Sequence, residues 1–416
     1  MPRNTLDQAA ATLARRLDQL ARVSDERGAT TRTFLSPAMG RANALVGKWM
    51  RGAGLSVRED RVGNLIGRRE GDGKGARALL LGSHLDTVRD AGRFDGALGV
   101  LLPLAALEVL RSQGLRLPFA VEVLGFSEEE GVRFSSAYLG SKGYTGRLRK
   151  SDLLLRDPEG ISVGGALASL NGRRMPLPAA AHSRGELMGY VEVHIEQGPV
   201  LEARGLAAGV VPAIAGQTRA KVIFTGNAGH AGTTPMALRK DALAGAAEFI
   251  LAAEALARSG PPLVATVGRI SAHPGAPNVI AGAAELTLDL RHPVDSRRLA
   301  ALARLRAAGR RIARGRGLGF SLVVTQDNGA VACSRELTAA LERSVRAVQK
   351  RSISLPSGAG HDAVVLSRLT PVAMLFVRCR KGLSHHPDEH VQPSDLGVAL
   401  RIVVDFLTRL AAKSAR

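Results

Sequence analysis

Cysteine is nearly absent from this sequence, since the chain of 416 residues has only Cys333 and Cys379. Two cysteines are too few for a disulfide framework, so we expect a protein of a reducing compartment, the cytoplasm. Long apolar runs are missing as well. No window approaches the roughly 18 uninterrupted apolar residues of a transmembrane helix. The amino-terminal segment has charges spread through it, which predicts that it is no secretory signal.

Aromatic residues are scarce too, at 3% of the chain, although the formal net charge is +20. A basic chain suggests nucleic-acid binding, but single strands need aromatic side chains on which bases stack. The basic residues are scattered, with short clusters such as "RRIARGR". We therefore expect no nucleic-acid partner and no membrane partner, and a charge that is solvated or draws in small anionic substrates. A nucleic-acid binder, with the charge gathered on one face, stays an alternative.

Apolar runs of strand length alternate with helical patterns in the first half of the chain. The candidate strands are "SVRED", "NLIGRRE", "RALLLGS", "FAVEVLGFS" and "GYVEVHIE", and the helical stretches include "RANALVGKWMRGAG" and "LGVLLPLAALEVLRSQG". This alternation is typical of α/β proteins. We expect a mixed, largely parallel sheet flanked by helices.

Near Gly216 the pattern changes. A strand "QTRAKVIFTGNA" and a long helix are followed by the strands "LVATVGRISAH" and "AELTLDLRH", a helix over about 296–314 and a strand "FSLVVTQ". The order βαββαβ predicts a ferredoxin-like α+β module with two helices on one face of a small sheet. We interpret residues 216–331 as an inserted domain and residues 1–215 with 332–416 as one discontinuous larger domain.

Acids and histidines follow several of the predicted strands of the larger domain. The clusters are His84 with Asp86 and Asp95, "SEEE" with Glu128 to Glu130, "VHIEQGP" with His194, and "SHHPDEH" with His385 and His386. Open α/β sheets bind ligands beyond the carboxyl ends of their strands. Each cluster alone could be a solvated turn, but imidazoles and carboxylates at several ends of one sheet are the ligands that a two-metal hydrolytic site requires.

These residues lie in motifs that resemble the di-metal aminoacylase-like amidohydrolases, and within them the branch of allantoate amidohydrolase, N-carbamoyl-L-amino-acid hydrolase and β-ureidopropionase. The motifs are "GSHLDTV", "GRFDGALGV", "EEEGVRF", "HIEQGPVLE", "GHAGTTPM", "PNVI", "LDLRHP", "SGAGHDA" and "GLSHHPDE". They follow one another in the family's order over nearly the whole chain.

The resemblance implies two divalent cations per subunit. His84 and His194 would bind one, Glu130 and His385 the other, and Asp95 both. His385 is preferred to His386 because the family's ligand directly follows a serine. Zinc suits the histidines and manganese the oxygen ligands, so the metal is left open.

Further roles follow from the resemblance. Asp86 would orient the imidazole of His84, and Glu129 would be the general acid and base that moves a proton from water to the leaving nitrogen. Gln197, Gly358, Ala359 and His361 would line the substrate pocket.

The inserted domain would act as a lid and a dimerisation domain. His230 would donate a hydrogen bond to the oxyanion of the tetrahedral intermediate, and Asn278 and Arg291 would bind the substrate carboxylate. The family pattern has proline after "PNVI", whereas Ala281 follows here, which loosens that loop. The resemblance implies a homodimer in which these side chains act in their own subunit or in the partner.

The expected reaction is hydrolysis of a linear ureido C–N bond in a small carboxylate substrate, with release of ammonia and carbon dioxide. Allantoate is preferred, and N-carbamoyl-L-amino acids and β-ureidopropionate are alternatives. A dipeptidase or aminoacylase would share the metals but would have a carboxylate in place of His194. A non-catalytic binding protein would be expected to have lost a ligand or the base, and none is missing.

Overall fold

The structure is a computed structural model that describes residues 3–72, 76–172 and 176–414. The larger predicted domain also includes residues 1–2, 73–75, 173–175 and 415–416, which lie outside the described residues. In the described part of the chain, no helix is both long and apolar enough to span a membrane.

Strands and helices are numbered along the whole chain. The strands are β1 (Ser56–Glu59), β2 (Leu65–Arg69), β3 (Ala78–His84), β4 (Ala120–Phe126), β5 (Leu187–Ile195), β6 (Ala208–Val211), β7 (Ala213–Ile214), β8 (Gly216–Thr225), β9 (Gly229–His230), β10 (Val264–Thr266), β11 (Ile270–His273), β12 (Val279–Ile280), β13 (Ala283–His292), β14 (Gly319–Asn328), β15 (Val331–Ala332) and β16 (Val372–Val377). The α-helices are α1 (Arg3–Ala21), α2 (Pro37–Gly52), α3 (Ala97–Ser112), α4 (Leu139–Tyr144), α5 (Val163–Asn171), α6 (Val200–Ala203), α7 (Ala242–Arg258), α8 (Asp295–Arg316), α9 (Arg335–Gln349), α10 (Ala363–Leu366) and α11 (Pro393–Ser414).

The chain divides into two compact units. Unit 1 consists of residues 1–212, 333–355 and 360–416, and unit 2 of residues 213–332 and 356–359. Unit 2 therefore includes the segment 216–331 that the sequence predicts to be inserted. Its function as a lid and dimerisation domain stays a prediction.

Unit 1 is built on a seven-stranded sheet in the order β1-β2-β4-β3-β5-β16-β6. The four central strands β4, β3, β5 and β16 are parallel, and β1, β2 and β6 run antiparallel to their neighbours. Strands β3, β4 and β16 are buried along their whole length, as parallel strands covered by helices on both faces must be. The predicted mixed α/β class is confirmed.

Two glycines allow close backbone approaches near the end of β3, Gly82 within the strand and Gly96 before α3. A Cβ on Gly82 would lie 2.2 Å from the carbonyl oxygen of Leu124 in the neighbouring strand. Gly96, which precedes α3, has φ +63° and lies so close to His84 that a Cβ would be 2.5 Å from the imidazole. Glycine therefore lets the chain pass directly over the His84 ring.

Unit 2 contains an antiparallel sheet in the order β10-β13-β8-β14, with β11 also paired to β13. Alternate residues of β8, among them Ala220, Val222 and Phe224, are buried in a core that α7 and α8 share. This alternation is expected of a sheet with one covered face.

Two details differ from the sequence prediction. The segment "LVATVGRISAH" forms two strands, β10 and β11, because four steps from Thr266 to Ile270 face only three steps from Asp289 to Leu286 on β13. The extra residue interrupts the pairing as a β-bulge does. The short strand β6, at the edge of the sheet in unit 1, was not predicted.

Candidate metal centre

The candidate ligands of unit 1 lie at one edge of the sheet because its four central strands are parallel. His84 is the last residue of β3, and His194 is the penultimate residue of β5. Glu130 follows β4 and His385 follows β16. Asp95 immediately precedes Gly96 and α3, whose amino-terminal end faces the same edge.

His84, Asp95 and His194 form a buried group. The Oδ1 atom of Asp95 is 3.0 Å from Nε2 of His194 and 3.8 Å from Nε2 of His84. The opposite ring nitrogens face backbone carbonyls, with Nδ1 of His84 3.0 Å from the oxygen of Asp86 and Nδ1 of His194 2.9 Å from that of Ile195. An Nδ1–H that donates to a carbonyl leaves the Nε2 lone pair free for a metal ion.

Asp95 also belongs to a second group, with Glu130 and His385. Nε2 of His385 is 3.1 Å from Oδ2 of Asp95 and 3.5 Å from Oε1 of Glu130. His386, the alternative ligand, is exposed, and its Nδ1 accepts a hydrogen bond of 3.1 Å from the amide of Asp388. The structure thus brings His385 rather than His386 to the carboxylates.

The donor atoms fit divalent cations. Within each of the two groups, one nitrogen or oxygen from every residue lies within 4.8 Å of the others. The buried Oδ1 of Asp95 accepts no hydrogen bond from any described residue, although two imidazoles surround it. Imidazole and carboxylate donors of this kind suit zinc or manganese. The division into two groups that share Asp95 is the one implied by the family resemblance, and the individual ligand roles stay predictions.

Asp86 is buried and holds the segment that carries the two glutamates. Its carboxylate accepts hydrogen bonds from the backbone amides of Glu129 at 3.0 Å and Glu130 at 3.2 Å. The same carboxylate is 3.5 Å from Nδ1 of His84, which lies closer to the Asp86 carbonyl. The predicted orientation of His84 by Asp86 therefore involves the backbone oxygen as well as the side chain.

Glu129 groups with His84 and Glu130, so the candidate acid and base lies beside the candidate ligands. Burial raises the pKa of Glu129 well above its ordinary value, against the opposing effect of His84. Burial and the negative charge of Asp95 raise the pKa of Glu130 to about 7. A nearby cation would favour the charged form of both carboxylates.

Two of the predicted pocket residues of unit 1 contact this centre. Nε2 of Gln197 is 3.0 Å from Oγ of Ser384, 3.3 Å from Oδ2 of Asp95 and 3.4 Å from Nε2 of His385. The buried ring of His361 lies 4.5 Å from that of His194, centre to centre, and burial together with His194 lowers its pKa well below the ordinary value. Their predicted contact with substrate is untested.

In unit 2 the structure brings His230 and Asn278 together. Strand β9 pairs with β12 so that His230 faces Val279, and the amide of Ala231 donates to the carbonyl oxygen of Asn278 at 2.9 Å. Both His230 and Asn278 are exposed. They are accessible to a ligand, and their roles stay predictions.

Arg291 on β13 already binds a carboxylate of its own strand. Its Nε and Nη2 atoms donate to the two oxygens of Asp289 at 2.8 and 3.0 Å, and its Nη1 donates to the carbonyl oxygen of Gly358 at 2.6 Å. The next amide, that of Ala359, donates to Oγ of Ser357 at 3.1 Å. A substrate carboxylate at Arg291 would therefore have to compete with Asp289.

The sequence analysis missed Glu389 and Ser384, although both lie in the motif around His385. Glu389 is buried, and its Oε1 accepts hydrogen bonds from the amides of Phe94 at 2.8 Å and Asp95 at 3.0 Å. An acid four residues after a candidate ligand was the only signal available. The hydrogen-bond partners of Oε1 are backbone amides, which side-chain identity does not reveal.

The fold and this cluster of donors are those of a metal-dependent hydrolase. The chain belongs to peptidase family M20/M25/M40, whose sequence profile matches residues 80–409. The predicted family membership is confirmed.

Its relatives in this family are amidohydrolases. The chain is 43% identical to an allantoate deiminase of Arabidopsis thaliana, over 96% of this chain and 82% of that one. It is 39% identical to an N-carbamoyl-L-amino acid amidohydrolase of Geobacillus stearothermophilus, over 96% and 98% of the two chains. A solved structure of a hydantoinase/carbamoylase family amidase from Burkholderia ambifaria superposes with a TM-score of 0.89 at 36% identity and covers 97% of each chain.

Proposed function

We propose that this protein hydrolyses the linear ureido C–N bond of a small carboxylate substrate, and that the substrate is allantoate. The observation that carries the proposal is the convergence of two donor groups on Asp95, with Glu129 beside them. The similarity to allantoate deiminases, at 41–43% identity over nearly the whole chain, supports the substrate.

Two divalent cations would be held by His84, His194 and Asp95 and by Asp95, Glu130 and His385. When bound, they supply Lewis-acid activation of water and of the scissile group. Glu129 takes a proton from the attacking water and passes it to the leaving nitrogen, which departs as ammonia. Because Glu129 groups with the candidate ligands His84 and Glu130, its carboxylate is placed for both steps.

In unit 2, His230 would donate to the oxyanion, and Asn278 and Arg291 would bind the substrate carboxylate. Arg291 presents a planar guanidinium with two parallel donors, which fit a carboxylate, as its pairing with Asp289 illustrates. Gln197, His361, Gly358 and Ala359 would complete the pocket.

The function is tested by ammonia release from chelator-treated protein to which zinc or manganese is added back. The substrates are allantoate, N-carbamoyl-L-amino acids, β-ureidopropionate and dipeptides. Fastest release from allantoate is expected. Release from dipeptides alone would overturn the proposed class, and the metal that restores turnover, with its content per chain, identifies the cofactor.

A second candidate substrate class is supported by the amidohydrolases of the N-carbamoyl-L-amino acids. Three bacterial relatives with that name are 36–39% identical over more than nine-tenths of this chain. In the same assay, a kcat/KM for an N-carbamoyl-L-amino acid above that for allantoate would select this class.

We further propose a cytoplasmic homodimer. Both cysteines are buried and unpaired, as in a reducing compartment. Near His230, the large apolar side chains of Met236 and Leu238 are 77% and 73% exposed, which suits a surface that another subunit covers. If unit 2 serves the partner's centre, mixing the inactive variants Glu129→Gln and Arg291→Ala restores turnover in the mixed dimer, whereas action within one subunit restores none.

A further inference from the structure

Glu389 connects the two loops that carry Asp95 and His385. One oxygen, Oε1, accepts the amides of Phe94 and Asp95, and the other, Oε2, is 3.0 Å from Oγ of Ser384, the residue before His385. Glu389 is 1% exposed, and a Cβ on the neighbouring Gly92 would lie 2.3 Å from it. The loop of Asp95 is thus packed tightly around this carboxylate.

Ser384 has a single hydrogen for two carboxylates. Its Oγ is 3.0 Å from Oε2 of Glu389 and 3.1 Å from Oδ2 of Asp95, and it accepts a hydrogen bond from Nε2 of Gln197 at 3.0 Å. A hydroxyl donates fully to one acceptor at a time. Donation to Glu389 removes the hydroxyl as a competitor of a cation for Oδ2 of Asp95.

We propose that Glu389 is a positioning residue that fixes His385 opposite Asp95 and so sets the affinity of the cation site that contains Glu130 and His385. The inference rests on the proposed metal centre. Glu389 touches neither a candidate cation nor substrate. It acts through the backbone of Asp95 and through the hydroxyl of Ser384.

The substitution Glu389→Gln separates these two contacts. The glutamine carbonyl still accepts the amides of Phe94 and Asp95, but its NH2 group now faces the oxygen of Ser384. The hydroxyl must then turn its hydrogen toward Asp95, where it competes with a cation for Oδ2. Changes in residues that hydrogen-bond metal ligands typically weaken metal binding about 10–100-fold.

The test is zinc titration of the chelator-treated full chain, followed by calorimetry. We expect wild type to bind two equivalents. Glu389→Gln should weaken one of them by about 10–100-fold and leave the other within about threefold. The curve should resemble that of His385→Ala rather than that of His84→Ala. Turnover of the variant should recover with excess zinc.

Asp60→Asn is the matched control. In the turn between β1 and β2, Oδ1 of Asp60 accepts two backbone amides, of Val62 and Asn64, both at 2.9 Å, and Oδ2 accepts the side chain of Asn64 at 2.8 Å. The hydrogen-bond pattern is that of Glu389, but no candidate ligand takes part. Both zinc equivalents should bind to this variant as to wild type.

Ser384→Ala provides a second variant that leaves both amide contacts of Glu389 intact. It should weaken the same equivalent, and adding Glu389→Gln to it should have little further effect, because the link between the loops is already broken. If Glu389→Gln does not fold, as judged by circular dichroism, Ser384→Ala alone decides.

The outcomes separate the two proposals. Wild type that binds no zinc and releases no ammonia contradicts the proposed function. If wild type binds two equivalents and the variants bind both as tightly as wild type, the proposed role of Glu389 is wrong while the proposed function stands. The same holds if the variants lose both equivalents equally.

Discussion

Strand β4 and the segment that follows it contain acids whose pKa values are shifted in opposite directions. Glu122, in the middle of the strand, is 2.9 Å from Nη1 of Arg68 and 3.1 Å from Nε2 of His182, and it accepts a hydrogen bond from the hydroxyl of Tyr144 at 2.7 Å. Burial alone would raise its pKa, but these partners, led by His182, lower it to about 2. The charge of the Glu122 carboxylate is thus compensated by neighbouring side chains of the protein.

Beyond the end of the same strand, Glu130 lies in a group of acids that pairs with histidines and not with arginine. Among the described residues, the ion pairs of Asp95 and Glu130 are with histidines only. Burial and the charge of Asp95 raise the pKa of Glu130 to about 7, whereas the histidines, against the effect of burial, hold the pKa of Asp95 well below its ordinary value. The contrast teaches that a histidine and an arginine together keep the buried Glu122 ionised, and that at the strand ends the histidines alone leave the charge of Glu130 uncompensated.

The largest effect among the tests of this contrast is expected from Glu129→Gln. If Glu129 moves the proton in catalysis, its loss should lower kcat by about 10²–10⁴-fold, because glutamine cannot accept or release a proton. Zinc content per chain should stay at the wild-type value. Ammonia release and metal analysis of the same sample measure both.

Glu128→Gln is the control for this variant. Glu128 is buried, and its two oxygens accept the backbone amides of Leu139, at 2.8 Å, and of Gly131, so glutamine keeps one of these two contacts. Turnover should fall much less than in Glu129→Gln. Equal losses in the two variants would show that the segment, rather than the proton of Glu129, is responsible.

The second test removes the neutralised acid. Glu122→Gln should lower the free energy of unfolding by about 3 kcal/mol at pH 7, the equivalent of the shift of its pKa from 4.5 to about 2. Because the folded-state pKa is the lower one, this contribution is complete above pH 4.5 and is lost as the pH falls toward 2. Urea unfolding of both proteins across this range measures it.

Zinc binding should be unaffected by Glu122→Gln, since its partners lie away from the candidate ligands. If the variant lost a zinc equivalent, the two sets of acids would not be independent, and the comparison on which this prediction rests would be wrong.

The third test adds zinc to the chelator-treated protein. Zinc at about 100 times its dissociation constant should raise the free energy of unfolding of chelator-treated protein by about 2.7 kcal/mol for each site. Urea unfolding with and without zinc measures the increase. Asp95→Ala, which removes the shared ligand, should abolish it, and Glu122→Gln should retain it. An equal increase in Asp95→Ala would place the zinc elsewhere.

Much of this arrangement could be predicted from sequence, because it follows from periodicity and from motif order. Largely apolar runs predicted the central strands, and the carboxyl ends of parallel strands meet at one edge of the sheet, where His84, Glu130, His194 and His385 follow or end them. The motif around His385 indicated which histidine of the pair faces the carboxylates.

What could not be predicted depends on contacts that side-chain identity does not encode. The break between β10 and β11 arises from one extra residue opposite β13, which the apolar pattern of "LVATVGRISAH" conceals. Strand β6 is four residues long and adjoins a proline, so its pattern is too short to recognise. The pairing of Arg291 with Asp289 was missed because Arg291 was assigned by motif, without regard to Asp289 on the same face of β13.

The smallest effect is expected from Glu70→Gln, because Glu70 and Glu122 share the partner Arg68 but differ in burial. Glu70 binds the same arginine as Glu122, with Oε2 2.9 Å from Nη2 of Arg68, but its side chain is 72% exposed. Exposed ion pairs contribute about 0–1 kcal/mol, because water screens the charges and already solvates the carboxylate. Urea unfolding at pH 7 should therefore show a loss well below that of Glu122→Gln, and smaller still in high salt. A loss as large as that of Glu122→Gln would mean that the ion pair with Arg68, and not burial, stabilises these acids. In that case burial would not explain the difference between Glu122 and the acids at the strand ends. The argument that those acids need cations because they are buried would then be wrong.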